Sequence, residues 1–345
     1  MVTPCEIIVG YCRDFTDTFP DQPGPLERAL RGHGWDVTSH PALDQRFPDG
    51  ELCVELPAAA EGRTVLLCQS LTGPHTGADQ ALMSLLAAAR CYREHGAARI
   101  VAVLPHLAYA RHDRLIPGQR RPVMAGLLAD LASSAGLDAL VSIASGAQDV
   151  LRDLFARAGT EMVFLSAHEL QLRLLRPLVR PDTVLVAPDA GAVEQVALLA
   201  AELDLRHVVL DKHRTGPEDV SVRLRAPHDV GDMGHVVLVD DLITSGATVE
   251  RTVEALREHR PALAVDVVAT HLRPTPAGTR RLTRMLTDGV VSRVHTTDAA
   301  GHRPDVPGLA LAPAIPWMAT ELADRLGAAP HPPLPERRTV HGTRR

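Results

Sequence analysis

The chain is expected to be an α/β protein of two domains, each a mostly parallel sheet flanked by helices. Three observations predict this. Short β-branched runs alternate with longer Ala/Leu-rich stretches of helical period. With 345 residues and 45% hydrophobic content, the chain can bury a substantial core, and its length suits two domains. Each half also holds a strand that empties into a polar loop, and open α/β sheets bind ligands at such strand ends. The two halves therefore suggest distant repeats, although no clear sequence period is visible.

The first strand is expected at Glu6–Gly10, followed by strands at Thr64–Gln69 and Arg99–Leu104. Helical patterns at Asp79–His95 and Val123–Ala135 complete the first half. In the second half, strands at Thr183–Ala187, His207–Leu210, His235–Asp240 and Val265–Thr270 alternate with helices at Val193–Leu203 and Val249–His259. This order implies parallel sheets with helices on both faces. The expected domains are residues 1–155 and 156–327. The proline-rich end, residues 328–345, closes on RR and HGTRR and reads as a disordered tail.

Composition narrows the function classes. Only 3% of the chain is aromatic, so the core must be built from Ala, Leu and Val. A net charge of −6 argues against a nucleic-acid partner, which needs clustered Lys and Arg. The start, MVTPCEIIVG, lacks a basic segment followed by an apolar stretch, so no secretory leader is expected. No apolar run approaches the ~20 residues needed to span a bilayer. Five cysteines without a CxxC pair indicate neither a zinc site nor a disulfide framework. A cytoplasmic protein without membrane or nucleic-acid partners is expected.

The most informative stretch is VVLVDDLITSGAT, Val236 to Thr248. A buried strand, a loop of small hydroxyl residues and a helix N-terminus together form a phosphate cradle. Its N–H groups and hydroxyls can face the anion, and the helix dipole favours negative charge. Asp240 and Asp241 stand just before the loop, where two adjacent carboxylates are costly without a ligand. They could hold sugar hydroxyls or a metal, so the combination points to a sugar phosphate.

Four further segments carry candidate chemistry. In RFPDGELCVEL, Phe47, Asp49 and Glu51 cluster around a Pro-Asp-Gly turn, where Phe47 could stack on a base or anchor the turn. In RIVAVLPHLAYARHDRL, a strand empties into Tyr109, Arg111, His112, Asp113 and Arg114, and guanidinium forks suit polyphosphate. A solvated charged loop reads equally well. In TVLVAPDAGAVEQVALLA, Asp189 ends a strand where it could reach Mg²⁺ or cap the next helix. In HVVLDKHRTG, Lys212 and Arg214 follow a strand, and Lys212 is the only lysine of the chain.

These segments, in this order, resemble the phosphoribosyl pyrophosphate synthetases, or ribose-phosphate pyrophosphokinases, from about Ile7 to about Leu326. FPDGE is similar to the family's F-S-D-G-E turn, YARHDR to Y-A-R-Q-D-R, and APDAGAV to S-P-D-x-G-G. DKHR is similar to D-K-R-R, DDLITSGAT to D-D-x-I-x-T-G-G-T, and ATHL echoes a family strand. The resemblance implies two phosphoribosyltransferase-like domains with the active site between them. ATP would use Phe47, Asp49, Glu51, Arg111, His112, Asp113 and Arg114. Ribose 5-phosphate would use Asp240 and Asp241 for its hydroxyls, and Thr244, Ser245, Gly246, Ala247 and Thr248 for its phosphate. Asp189 would lie near Mg²⁺, and Lys212 and Arg214 would be catalytic. The anomeric hydroxyl would attack the β-phosphorus of ATP, releasing AMP. A homo-oligomer, dimer or hexamer, is implied because the turn of Phe47 often serves a neighbouring subunit's adenine.

The pattern also breaks. Where the family has D-L-H-A-D-Q, this chain has IASGAQ, with Ser145 in place of the histidine that helps position metal-bound ATP. His112 replaces a glutamine, and Ala192 and Ala247 replace glycines, which would tighten a turn and narrow the phosphate cradle. Three readings follow: the pyrophosphokinase, the same chemistry on another sugar phosphate, and a non-catalytic regulatory homologue. Retention of Lys212, Arg214, Asp189 and the acid-pair loop favours catalysis.

Overall fold

The structure is a computed structural model that describes residues 6–20, 24–73, 76–214, 220–224, 233–301 and 304–327, with 211–214 and 220–224 described by backbone alone. The expected tail and the side chains of Lys212 and Arg214 lie outside the described residues.

The first sheet contains β1 (Glu6–Tyr11), β2 (Asp36–His40), β5 (Thr64–Cys68), β6 (Arg99–Leu104), β7 (Ala139–Ile143) and β8 (Glu161–Leu165). Its order is β2-β1-β5-β6-β7-β8, and every pairing is parallel. A separate antiparallel hairpin joins β3 (Asp44–Arg46) to β4 (Leu52–Val54). The helices here are α1 (Arg13–Thr18), α2 (Gly24–Gly32), α3 (Ala78–Glu94), α4 (Met124–Ala135) and α5 (Gln148–Ala158).

After α6 (His168–Leu175), the second sheet is built from β9 (Thr183–Ala187), β10 (Arg206–Arg214), β11 (Val220–Leu224), β12 (His235–Ile243), β13 (Ala264–Leu272), β14 (Arg293–Thr297) and β15 (Leu309–Ala312). Its order is β11-β10-β9-β12-β13-β14-β15, parallel except for the β10–β11 edge pair. Its helices are α7 (Val193–Glu202), α8 (Ala247–Arg257) and α9 (Pro276–Thr287), and the chain continues into α10 (Ala314–Gly327).

Strand periodicity explains the layers. Ile8, Leu67, Ala102 and Leu140 face one core of the first sheet, while Ile7, Leu66, Val101 and Val141 face the other. Val236 and Leu238 in β12 likewise oppose Val237 and Val239. Both faces are covered, so every strand residue can be apolar and no alternation with polar residues is needed.

Three expectations change. First, the division at residues 155/156 falls inside α5, and β8 still belongs to the first sheet. Helix α10 also returns to the first domain, where Trp317, Met318 and Leu322 share a core with Ile7, Leu26 and Leu30. An apolar helix face does not encode which domain it will cover. Second, β12 runs through both acids, because β13 pairs with it as far as Ile243 opposite Leu272. Third, β10 extends to Arg214, with Lys212 opposite Val222, so these residues lie within a strand instead of after it. Ladder pairing carried both strands past their polar residues.

Candidate active site between the domains

The turn from β12 into α8 is tight. Gly246 adopts φ 70°, ψ 0° and caps α8, a left-handed conformation that costs a side-chain-bearing residue roughly 1–2 kcal/mol. Ser245 Oγ accepts from Ala247 N at 3.3 Å. Ala247 opens α8 and Ala192, with φ −93°, caps α7, so neither alanine occupies the left-handed conformation that favours glycine. Helix α9 braces the turn from behind. Thr275 N donates to Thr244 O at 3.3 Å, and Arg281 donates to Ser245 O at 2.7 Å while pairing with Glu250 at 2.7 Å.

Gly278 makes that approach possible, because a Cβ there would sit 2.1 Å from Thr244 O. The sequence reading missed Gly278 and Arg281. The available signal was Thr275-Pro276, an N-cap followed by proline, and Thr275 Oγ1 does accept from Gly278 N at 3.0 Å.

The acid pair is asymmetric. Asp240 is half-buried and Asp241 is exposed. Asp240 Oδ1 accepts from Asp241 N at 2.8 Å, and Gln171 of α6 donates to Asp240 O at 3.3 Å and Thr270 Oγ1 at 3.0 Å. Burial, then the neighbouring charges of Asp241 and Asp189, push the Asp240 carboxyl up to about 7. Asp241 Oδ2 accepts from Gly146 N at 2.8 Å and Ser145 Oγ at 3.3 Å, both from the first domain.

Asp189, just beyond β9, accepts from Gly191 N at 3.0 Å. Asp189, Asp240 and Asp241 line one cleft of about 620 Å³, with Ser145 and Gly146 on its first-domain wall. Carboxylates crowded enough to raise the pKa of Asp240 fit a divalent cation, whose charge would relieve the repulsion. No cluster of three or more metal-ligating side chains exists among the described residues.

The first domain brings one of its motif residues, Arg111, to the turn after β12. Tyr109, with φ 64°, donates its hydroxyl to Asp79. Arg111 crosses to the second domain and donates to Thr244 Oγ1 at 3.3 Å. The Arg114 guanidinium grips Asp113 at 2.7 and 3.0 Å, holding that carboxyl below its usual range, and His112 is exposed. Behind this loop the rings of His106 and His271 meet across the domains, 4.8 Å between centroids. Burial keeps both neutral, with His271 pushed down to about 4.

The Phe47 turn is well formed but lies elsewhere. Phe47 N donates to Glu51 O at 2.9 Å, Gly50 N to Phe47 O at 2.8 Å, and Glu51 N to Asp49 Oδ1 at 3.1 Å. Its hairpin hangs on β1 through Leu43 N and Tyr11 O at 3.0 Å, with β5 and β6 between β1 and β7. Phe47, Asp49 and Glu51 do not line the cleft, and Phe47 is 50% exposed.

Two α/β domains meeting at an acid pair and a phosphate loop define a phosphoribosyltransferase-type architecture. The profile for the N-terminal domain of ribose phosphate pyrophosphokinase matches residues 33–136, and that for the phosphoribosyl transferase domain matches residues 173–292. A ribose-phosphate pyrophosphokinase of Shewanella oneidensis is 31% identical over 268 residues, 77% of this chain and 80% of its own. One from Buchnera aphidicola is 32% identical over 249 residues, 71% of this chain and 75% of its own. The crystal structure of phosphoribosylpyrophosphate synthetase from Mycobacterium smegmatis superposes with a TM-score of 0.74 at 26% identity, covering 93% of this chain and 99% of that one. The chain belongs to the ribose-phosphate pyrophosphokinase family and is an enzyme of that class.

Proposed function

We propose that the chain transfers the β,γ-diphosphoryl group of ATP to the anomeric hydroxyl of ribose 5-phosphate, forming phosphoribosyl pyrophosphate and AMP. The observation that carries this reading is the meeting of Arg111 with Thr244, which joins the arginine motif of one domain to the phosphate loop of the other. In this reading Thr244, Ser245, Gly246, Ala247 and Thr248 cradle the 5-phosphate, and Asp240 and Asp241 accept from the ribose hydroxyls. Arg111, His112, Asp113 and Arg114 face the ATP phosphates. Mg²⁺ held by Asp189 and the ATP phosphates would neutralise charge on the transferring group. Lys212 and Arg214 stabilise the charge that develops during transfer, where catalysis is mainly positioning and electrostatics.

The chain is read as a homo-oligomer in which Phe47, Asp49 and Glu51 serve the adenine of a neighbouring subunit; their hairpin hangs on β1, with β5 and β6 between it and β7. A cytoplasmic location fits the free thiols of Cys12, Cys53, Cys68 and Cys91. Among the described residues, no helix is long and apolar enough to cross a membrane.

Phosphorus NMR of the protein with Mg–ATP and ribose 5-phosphate tests the reading. AMP and a sugar-linked diphosphate should appear together. Intact ATP in the presence of folded protein would redirect the assignment to another sugar phosphate or to a regulatory homologue.

A further inference from the structure

We infer that Ser145 and Gly146 form a clamp that positions Asp241 for the sugar, so that Ser145 acts on the ribose side of the reaction. The inference rests on the function proposed above. Asp241 is exposed on the floor of the cleft, and a carboxylate there is free to turn unless something holds it. Two donors from the opposite domain meet the same oxygen, Oδ2: Gly146 N at 2.8 Å and Ser145 Oγ at 3.3 Å; within its own strand the carboxyl also hydrogen-bonds the Asp240 side chain. The clamp aims the carboxylate so that it can accept from a ribose hydroxyl. The remainder of the acid pair is held differently. Asp240 takes the Asp241 N–H on its own Oδ1, and its main chain is tied to Gln171.

The two carboxylates are therefore fixed from two domains, one by its own strand and α6, the other by the loop after β7. A hydroxyl suits the clamp because it can donate while the neighbouring N–H donates to the same atom. Ser145, which also lines the cleft wall, is in this role a positioning residue that acts on the sugar through Asp241.

The test is calorimetric binding of ribose 5-phosphate, without ATP or metal, to the wild-type chain and to Ser145→Ala and Ser145→Thr, alongside steady-state kinetics. Loss of this one exposed hydrogen bond should weaken sugar-phosphate binding about five- to tenfold in Ser145→Ala. Ser145→Thr keeps the hydroxyl and should bind as the wild type does, and the KM for ATP should stay unchanged in both variants. Equal binding by Ser145→Ala and wild type, or a change confined to the KM for ATP, overturns the clamp. Wild-type binding without turnover would sink the pyrophosphokinase reading and leave the clamp to be judged by the variants. No binding of ribose 5-phosphate by the wild type would sink both.

Discussion

The two halves of the site are built to different degrees. In the second domain the phosphate loop is fully supported within the chain: Gly246 makes the turn, Gly278 admits α9, and Arg281 ties Ser245 to Glu250. In the first domain the Phe47 turn, Arg111, His112 and Arg114 are exposed, and the Phe47 hairpin stands away from the cleft. The difference teaches that a phosphate cradle can be made by backbone packing before any ligand arrives. The exposed long side chains of the first domain are not braced in the same way.

Breaking the chemistry that unites the halves should give the largest effect. Lys212→Ala is expected to lower turnover about 10²–10³-fold, as removal of one donor to a developing charge does. Binding of ribose 5-phosphate should stay nearly intact, as read by single-turnover assay and calorimetry. An unchanged turnover would mean that Lys212 is a solvated charge.

Breaking the prebuilt half comes next. Gly278→Ala places a Cβ against Thr244 O, so α9 must withdraw from the loop. Ribose 5-phosphate affinity should fall at least about tenfold and the fold should lose roughly 1–3 kcal/mol, an overpacking cost. A melting curve and a binding titration read the two effects separately. Unchanged sugar-phosphate binding would show that the loop does not depend on α9.

The acid pair offers a pH test of the same half. A carboxyl raised to about 7 favours folding while protonated, so its contribution is full below about pH 4 and is lost as the pH rises through 7. Asp240→Asn should therefore stabilise the ligand-free protein at pH 8 by on the order of 2 kcal/mol, give little gain at pH 4, and abolish turnover. Thermal melts at the two pH values decide, and equal effects at both would remove Asp240 as the titrating group.

The smallest effect on the fold should come from the open half. Phe47→Ala leaves a half-exposed turn intact, so stability should change by less than about 0.5 kcal/mol. The KM for ATP should rise several-fold with that for ribose 5-phosphate unmoved. A change in the sugar-phosphate KM would erase the contrast between the halves.

Much of this was legible in the residues. Periodicity placed β6 and β9 at their observed bounds, and the DDLITSGAT pattern located the turn that caps α8. The strands β7 and β8 and the return of α10 were not legible. Short apolar runs such as ALVSI and EMVFL suit helix or strand alike until neighbours pair with them. Gly278 looked like any helical glycine, because the atom it avoids belongs to a loop more than thirty residues earlier. Ser145 read as a missing metal-site histidine, and its contact with Asp241 spans 96 positions of chain.

The sequence by itself determined the bounds of strands such as β6 and β9, which loop is expected to receive a phosphate, and which residue types stand ready for chemistry. Those are local matters of periodicity, turn geometry and side-chain charge. Only the tertiary structure decided that Asp241 is held from the other domain, that burial and crowding push the Asp240 carboxyl up to about 7, and that Phe47 does not line the cleft. Each of these depends on distances between segments remote in sequence, which burial and strand order set and which no local pattern encodes.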